Sequence, residues 1–215
     1  MTVTTEVEDL LAVKDFVTAR PFVDADHLIL VGASQGGFVS GLAAAKCGNA
    51  VKKLIMIDPV LCIPDHAKRG CLGGGHYDPE NVPEIIDCGV TKLGKAMHED
   101  AEVMEPYLEL SAYQGPVLIL QGLADEIVNY SYAVRAKENY RAGQCCLQLI
   151  RDVGHGLDKG QFESAFASIW QFLKERKEIL TIRVIVTHCE ESTEGEIHKA
   201  SIYFTGYCDT EYPVK

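Results

Sequence analysis

The segment His27–Cys47 constrains the fold of this 215-residue chain more than any other stretch. It contains a short apolar run, then the motif Gly32-Ala33-Ser34-Gln35-Gly36, then small residues with helical spacing. A serine on a sharp turn between a strand and a helix projects its hydroxyl above the sheet, and the flanking glycines leave room for that turn. We therefore interpret Ser34 as a nucleophile. The alternative is a glycine-rich turn in which this serine only caps the helix.

Charge and hydropathy restrict the kinds of partner. The net charge of −11 argues against a nucleic acid or an anionic membrane surface, because both require clustered Lys and Arg. No apolar run approaches the roughly 20 residues of a membrane span, and the acidic, amphipathic N-terminus differs from a signal peptide. The eight cysteines show neither C-x-x-C pairs nor metal-ligand spacing. We therefore expect reduced thiols in a cytoplasmic protein without a metal or cofactor, and the oligomeric state is left open.

Predicted helices and apolar strands alternate along most of the chain. The predicted strands are His27–Val31, Leu54–Ile57, Val117–Gln121 and Cys146–Ile150. The predicted helices are Thr5–Arg20, Gln35–Cys47, Tyr130–Tyr140 and Gln161–Lys177. Thr5 and Glu8 form a capping-box pattern in the first helix. The last helix is expected to bury Phe162, Ala165, Phe166, Ile169, Trp170 and Leu173. This alternation predicts an α/β fold with a doubly wound parallel sheet and flanking helices.

Two segments depart from the alternation. Residues 61–112 contain a glycine run and several prolines, no strand pattern, and a helical piece near Ala101–Leu110. A loop of this length in a compact domain is usually functional, so we expect a cap insertion over the site; an irregular surface insertion is the alternative. Residues 180–215 hold two alternating runs around an acidic turn, which predicts a β-hairpin. We place a domain boundary near Ile179, so that residues 1–179 form the main domain.

Two further loops supply the groups that a serine nucleophile requires, namely a base and a carboxylate that orients the base. Asp125 follows the third predicted strand and His155 follows the fourth. Ligands bind at the carboxyl ends of the strands in such sheets. The order Ser, Asp, His along the chain is that of the α/β-hydrolase arrangement. Glu126 and Asp152 are the rival acids.

With these residues assembled, the chain resembles the α/β-hydrolase superfamily and, within it, the bacterial cinnamoyl (feruloyl) esterases. The matching segments are EVEDLLAVKDFV, GASQGG, LIMIDPV, YDPENVPEIIDCG, PVLILQGLADEIV and VGHGL. The resemblance implies a serine carboxylic-ester hydrolase that acts on a small-molecule ester through an acyl-enzyme on Ser34, without a cofactor. It also implies that the cap covers the acyl pocket, with Tyr77, Asp87 and Tyr107 as candidate substrate contacts. The alternatives are a lipase-like thioesterase, an acyltransferase, a peptidase or a catalytically silent fragment.

One departure from the family pattern concerns the start of the chain. The family fold has several strands and a helix before the segment with which this sequence begins, and one of those loops supplies an oxyanion N–H group. Here the backbone N–H of Gln35 is the donor that the resemblance implies, and the second donor is unidentified. We therefore expect an N-terminally truncated domain whose elbow strand has an open apolar edge. The C-terminal hairpin either covers that edge or begins an appended small domain, and the sequence favours the second.

Overall fold

A mostly parallel β-sheet forms the centre of the computed structural model, which describes residues 1–89, 91–156, 159–174, 183–189 and 199–205. The strands are β1 (Leu28–Ala33), β2 (Val51–Ile57), β3 (Ile85–Asp87), β4 (Lys92–Gly94), β5 (Val117–Gly122), β6 (Cys145–Ile150), β7 (Arg183–Cys189) and β8 (Lys199–Thr205). The main sheet has the order β6-β5-β2-β1-β7-β8. Its strands are parallel except for β8, which is antiparallel to β7. The predicted α/β fold with a parallel sheet is confirmed.

The helices connect and cover these strands. They are α1 (Val3–Thr18), α2 (Gln35–Cys47), α3 (Ile63–Lys68), α4 (Lys95–Ala101), α5 (Pro106–Leu110), α6 (Ser131–Asn139) and α7 (Lys159–Lys174). Helix α2 has the predicted bounds, whereas α1 begins earlier than predicted. The Thr2 hydroxyl accepts the N–H of Thr5, and the Thr2 N–H donates to the Thr5 hydroxyl. The expected capping box of Thr5 and Glu8 is therefore wrong, because Thr2 is the capping residue.

The core lies on both faces of the sheet because successive side chains of β1 point in opposite directions. Leu28 and Leu30 join a cluster with residues of α1 and α2. Ile29 and Val31 join a second cluster with residues of α7. The α7 members of that cluster are the buried residues Ala165, Ile169 and Leu173, as predicted. The prediction for Phe166 is wrong: its side chain is 52% exposed and stacks on Trp170 at the rim. The side chain of Phe162 lies outside the described residues.

The segment 61–112 is more regular than its sequence predicts. It contains α3, α4 and α5, and a separate antiparallel sheet of β3 and β4. The expectation of no strand in this segment is therefore wrong. Each of the two strands is only three residues long, and Ile86 is the buried residue of β3. Such a short strand shows no readable alternation. Helix α5 contacts α2 and α6, the helices that follow the Ser34 and Asp125 segments.

The C-terminal hairpin lies beside the elbow strand. Ile29 pairs with Val184 and Val31 with Val186, in parallel register. The sequence favours an appended domain for these strands, whereas the structure uses β7 to cover the edge of β1, where backbone N–H and C=O groups would otherwise lack partners. The predicted boundary near Ile179 lies outside the described residues and stays a prediction. Searched over its described residues, the chain shows no helix with the length and hydropathy that a membrane crossing demands.

Candidate active site

Ser34 occupies a strained turn between β1 and α2. Its φ is +53°, a left-handed value that residues other than glycine seldom adopt. The backbone around it is tied to the next strand, since the Ser34 N–H donates to the Ile57 carbonyl at 2.8 Å. The hydroxyl makes no capping hydrogen bond to α2, so a capping role does not describe this serine. Strain of this kind is typical of functional positions.

Glycine is required where β1 enters the turn. A Cβ atom on Gly32 would lie 2.1 Å from the Gly36 carbonyl oxygen, well inside van der Waals contact. The strand and the first turn of α2 therefore pack closer than any side chain at Gly32 would allow. The first glycine of the motif therefore allows the close packing of strand and helix that the sequence predicts.

The Ser34 side chain faces His155, which lies in the loop after β6. The Ser34 Oγ is 2.8 Å from the His155 Nε2, and the His155 Nδ1 is 2.9 Å from the Asp125 Oδ2. A carboxylate can only accept, so the Nδ1 carries the proton that it donates to Asp125. The Nε2 is then free to accept the Ser34 hydroxyl proton. The structure brings these three predicted residues into one hydrogen-bonded chain.

Asp125 is held as an acceptor by its own loop. Its Oδ1 accepts the N–H groups of Ile127 and Val128 at 2.9 and 2.8 Å, and its Oδ2 accepts the Gln121 Nε2 at 2.9 Å. The Asp125 side chain is fully buried. These bonds fix the carboxylate in the orientation that His155 meets. The rival acids Glu126 and Asp152 are both exposed to solvent.

Asp58 is a second buried carboxylate at this edge of the sheet, and the sequence analysis did not select it. It directly follows β2, and its Oδ1 and Oδ2 accept the N–H groups of Gly122 and Gly156 at 2.8 and 3.1 Å. Burial is the largest cause that raises its pKa above the usual value near 3.8. The sequence does indicate this position, because Asp58 directly follows an apolar strand, as Asp125 follows β5.

The backbone N–H of Gln35 lies at the first position of α2. The first N–H groups of a helix have no acceptor inside the helix, so this group is available to an oxyanion. The Gln35 side chain is anchored away from that group, since its Nε2 donates to the Glu6 Oε2 at 2.6 Å. Glu6 is a buried residue of α1. Helix α1 therefore braces the residue that follows the nucleophile.

The three candidate substrate contacts have different surroundings. The Tyr77 hydroxyl bonds to the Nδ1 of buried His98 at 2.9 Å, so it is engaged within the insertion. Asp87 is exposed and accepts the N–H of Gly89 in the turn after β3. Tyr107 is buried under the Arg135 guanidinium. Within the described part of the chain its hydroxyl has no hydrogen-bond partner, and burial raises its pKa to about 12.

A cysteine also lies close to this site. The Cys62 thiol is buried, and both Asp125 and Tyr107 lie within its electrostatic range. Burial raises its pKa to about 12, so the thiol stays protonated near neutral pH and is a poor nucleophile. Over the described residues no group of three His, Cys, Asp or Glu side chains is placed to bind a metal.

Comparisons with known proteins bear on the family and the fold. The sequence profile of the "Prolyl oligopeptidase family" matches residues 2–178. Est1E from Butyrivibrio proteoclasticus is 30% identical, with a TM-score of 0.73 over 81% of this chain and 72% of that chain. Its structure with ferulic acid bound gives 31% identity and a TM-score of 0.75, over 81% and 69% of the two chains. The α/β hydrolase GrgF from Penicillium sp. sh18, at 16% identity and a TM-score of 0.62 over 81% and 72%, shares the fold. No curated protein sequence matches significantly.

Proposed function

The chain belongs to the prolyl oligopeptidase family of α/β-hydrolases, and from this membership we propose that it is a serine hydrolase of carboxylic esters, similar to the cinnamoyl esterases. The observation that carries the proposal is the hydrogen-bonded chain from Ser34 through His155 to Asp125. A serine hydroxyl becomes a useful nucleophile at neutral pH when a base accepts its proton and a carboxylate orients that base.

The reaction proceeds in two halves. Ser34 attacks the ester carbonyl while the His155 Nε2 takes its proton, and His155 then gives that proton to the leaving alcohol. The acid remains on Ser34 as an acyl-enzyme. Water, activated by the same histidine, attacks the acyl-enzyme and releases the acid.

Asp125 and Gln35 stabilise the charges that develop. The Asp125 carboxylate accepts from the His155 Nδ1 and favours the imidazolium that forms during attack. The Gln35 backbone N–H donates to the oxyanion of the tetrahedral intermediate. A single donor of this kind is worth on the order of 10²–10³ in rate. The burial of the Asp125 side chain strengthens its interaction with His155, since little water competes for the carboxylate.

We propose an aromatic or similarly apolar acid as the substrate class. Est1E was solved with ferulic acid bound, which supports this choice for a chain that is about 31% identical to it. The loop that carries Asp125 exposes the apolar side chains of Leu123 and Ile127. The free cysteines of the described residues support a cytoplasmic location.

Peptide hydrolysis is the second candidate, because the matching family profile is that of a peptidase. The same three side chains perform acyl transfer on esters and on amides. A panel of methyl cinnamate and ferulate esters beside peptide anilides distinguishes the two. Ester turnover without anilide turnover supports the proposal, and the reverse result establishes a peptidase.

Fluorophosphonate labelling tests the nucleophile directly. Peptide mass spectrometry of the labelled 215-residue chain is expected to find the adduct on Ser34. The variant Ser34→Ala is expected to lose the adduct, whereas Ser111→Ala, which removes a hydroxyl that bonds the Leu108 carbonyl in the insertion, is expected to keep it. An unlabelled folded wild type, or labelling that survives Ser34→Ala, would contradict the assignment.

A further inference from the structure

The short segment after β2 touches the nucleophile through its backbone. The Ile57 carbonyl accepts the N–H of Ser34 at 2.8 Å, and the Val60 N–H donates to the Ser34 carbonyl at 3.2 Å. Both hydrogen-bonding groups of the Ser34 backbone are therefore tied to residues 57–60. Asp58 lies between these two contacts, and its N–H donates to the Leu120 carbonyl of β5 at 2.8 Å.

The Asp58 carboxylate reaches the other two parts of the site. Its Oδ1 accepts the N–H of Gly122, where the loop that carries Asp125 begins. Its Oδ2 accepts the N–H of Gly156, the residue after His155. One side chain thus joins two loops that are 34 positions apart in sequence (156 − 122).

We propose that Asp58 is a positioning residue that holds the Asp125 loop and the His155 loop in register with Ser34. The inference rests on the proposed function, since it assumes that Ser34 is the nucleophile. Asp58 acts through the backbone of the two loops and does not touch the reacting atoms. Positioning of this kind matters because a displacement of about 1 Å in an active site can cost on the order of 10²-fold in rate.

A carboxylate is the group that this place requires. Both partners are backbone N–H donors, so two separate side-chain atoms have to accept a hydrogen bond. A carboxylate has two acceptor oxygens, whereas a side-chain amide or a hydroxyl has one. Asp58 is 1% exposed and has a φ of +44°, so the chain tolerates a buried charge and a strained backbone there. Such costs persist where the surrounding structure holds the residue in place, as the three backbone hydrogen bonds of this segment and the two N–H groups on the carboxylate do.

The central test compares Asp58→Asn with the wild type and a matched control. Asparagine also adopts left-handed backbone, so the turn is retained, but its NH₂ group faces one of the two donors. The control is Asp100→Asn, because the Asp100 carboxylate likewise accepts a remote backbone N–H, that of Thr4, and bonds none of the segments that carry Ser34, Asp125 and His155 in the contacts described. The measurements are the rate of fluorophosphonate labelling of Ser34 and the kcat and KM for an aryl ester, normalised to labelled active sites.

We expect Asp58→Asn to slow labelling and to lower kcat by about tenfold or more, with KM within about twofold of wild type. Asp100→Asn is expected to stay within about twofold in both, even if its melting temperature falls. A merely structural role would lower the amount of active enzyme and leave the rate per active site unchanged. Equal reactivity of Asp58→Asn and wild type would overturn the proposal.

A second variant covers the case in which Asp58→Asn does not fold. Asp58→Gly suits the positive φ and removes the carboxylate altogether. If both variants fail to fold while Asp100→Asn folds, Asp58 has a stabilising role only and the proposal is wrong. An unlabelled wild type would overturn the proposed function and with it this role, whereas a labelled wild type beside an equally reactive Asp58 variant overturns the positioning role alone.

Discussion

Gln121 donates a hydrogen bond from its Nε2 to the Asp125 Oδ2 at 2.9 Å, the same oxygen that accepts the His155 Nδ1. Gln121 is the next-to-last residue of β5 and is fully buried. The rigid strand therefore contributes directly to the orientation of the acid. Because the oxygen is shared, a change at Gln121 alters the acceptor that His155 meets.

The variant Gln121→Met is expected to weaken the site without unfolding it. Methionine has a similar length but donates no hydrogen bond, so Asp125 loses one of its four donors. Hydrogen bonds to charged groups are worth about 1.5–3 kcal/mol, which predicts a fall in kcat/KM of about tenfold or more. Ester hydrolysis measures the effect, with Gln148→Met on neighbouring β6 as the control. A variant as active as wild type would contradict a role for this bond.

Local patterns predict the parts of the site that a single strand–turn–helix unit determines. Ser34 and α2 are predicted with the observed bounds because the glycines and the helical spacing lie within one short segment. Asp125 and His155 are found because each follows a recognisable strand and their order matches a known arrangement. Asp125 and His155 are 30 positions apart in sequence, so the hydrogen bond between their side chains is known only from the structure.

Contacts between distant segments are what the sequence does not predict. The place of β7 beside β1 depends on which sheet edge is open, and no pattern within residues 183–189 encodes that choice. Gln121 and Asp58 have roles set by their neighbours in space rather than by a motif. Strands as short as β3 are stabilised by their packing rather than by their own propensity.

Lys53 is a buried cation whose loss is expected to lower stability. It is 3% exposed, and its Nζ donates to the carbonyls of Phe172 and Leu173 at 2.5 and 3.0 Å, near the C-terminal end of α7. Carbonyls in the last turn of a helix lack N–H donors inside the helix, and a cation suits that end of the helix dipole.

We expect Lys53→Met to reduce the free energy of unfolding by about 1–3 kcal/mol, as measured by urea denaturation. The neighbouring variant Lys52→Met is the control, because Lys52 is exposed and bonds only the Asn49 carbonyl among the contacts described. The labelling rate of Ser34 is expected to stay at the wild-type value in both. Equal stability of the two variants would show that the α7 contact contributes nothing.

His66 is expected to make the fold less stable in mild acid. It is half-buried in α3, and burial first, then the nearby Arg69, lowers its pKa below the usual 6.5. In the window between the folded pKa and about 6.5 the unfolded chain binds more protons than the folded chain. The free energy of unfolding therefore falls as the pH decreases through that window. Above the window His66 is neutral in both states, and this loss of stability is absent.

The variant His66→Gln removes this titration. Between about pH 7.5 and about pH 5.5 its melting temperature is expected to fall less than that of the wild type. His76→Gln serves as the control, since His76 is an exposed histidine of the same insertion. An equal or larger fall for His66→Gln would contradict the assignment of this acid sensitivity to His66.

Two adjacent cysteines are expected to differ in reactivity. Cys145 is buried at the start of β6 and burial raises its pKa to about 12, whereas Cys146 is exposed. Alkylation requires the thiolate and access to it, so iodoacetamide at about pH 8 is expected to modify Cys146 in the folded protein and Cys145 only after unfolding. Because the two share one peptide, the variant Cys146→Ser separates them: its peptide is expected to remain unmodified until denaturant is added. Rapid modification of that peptide in the folded variant would mean that β6 opens at this edge of the sheet.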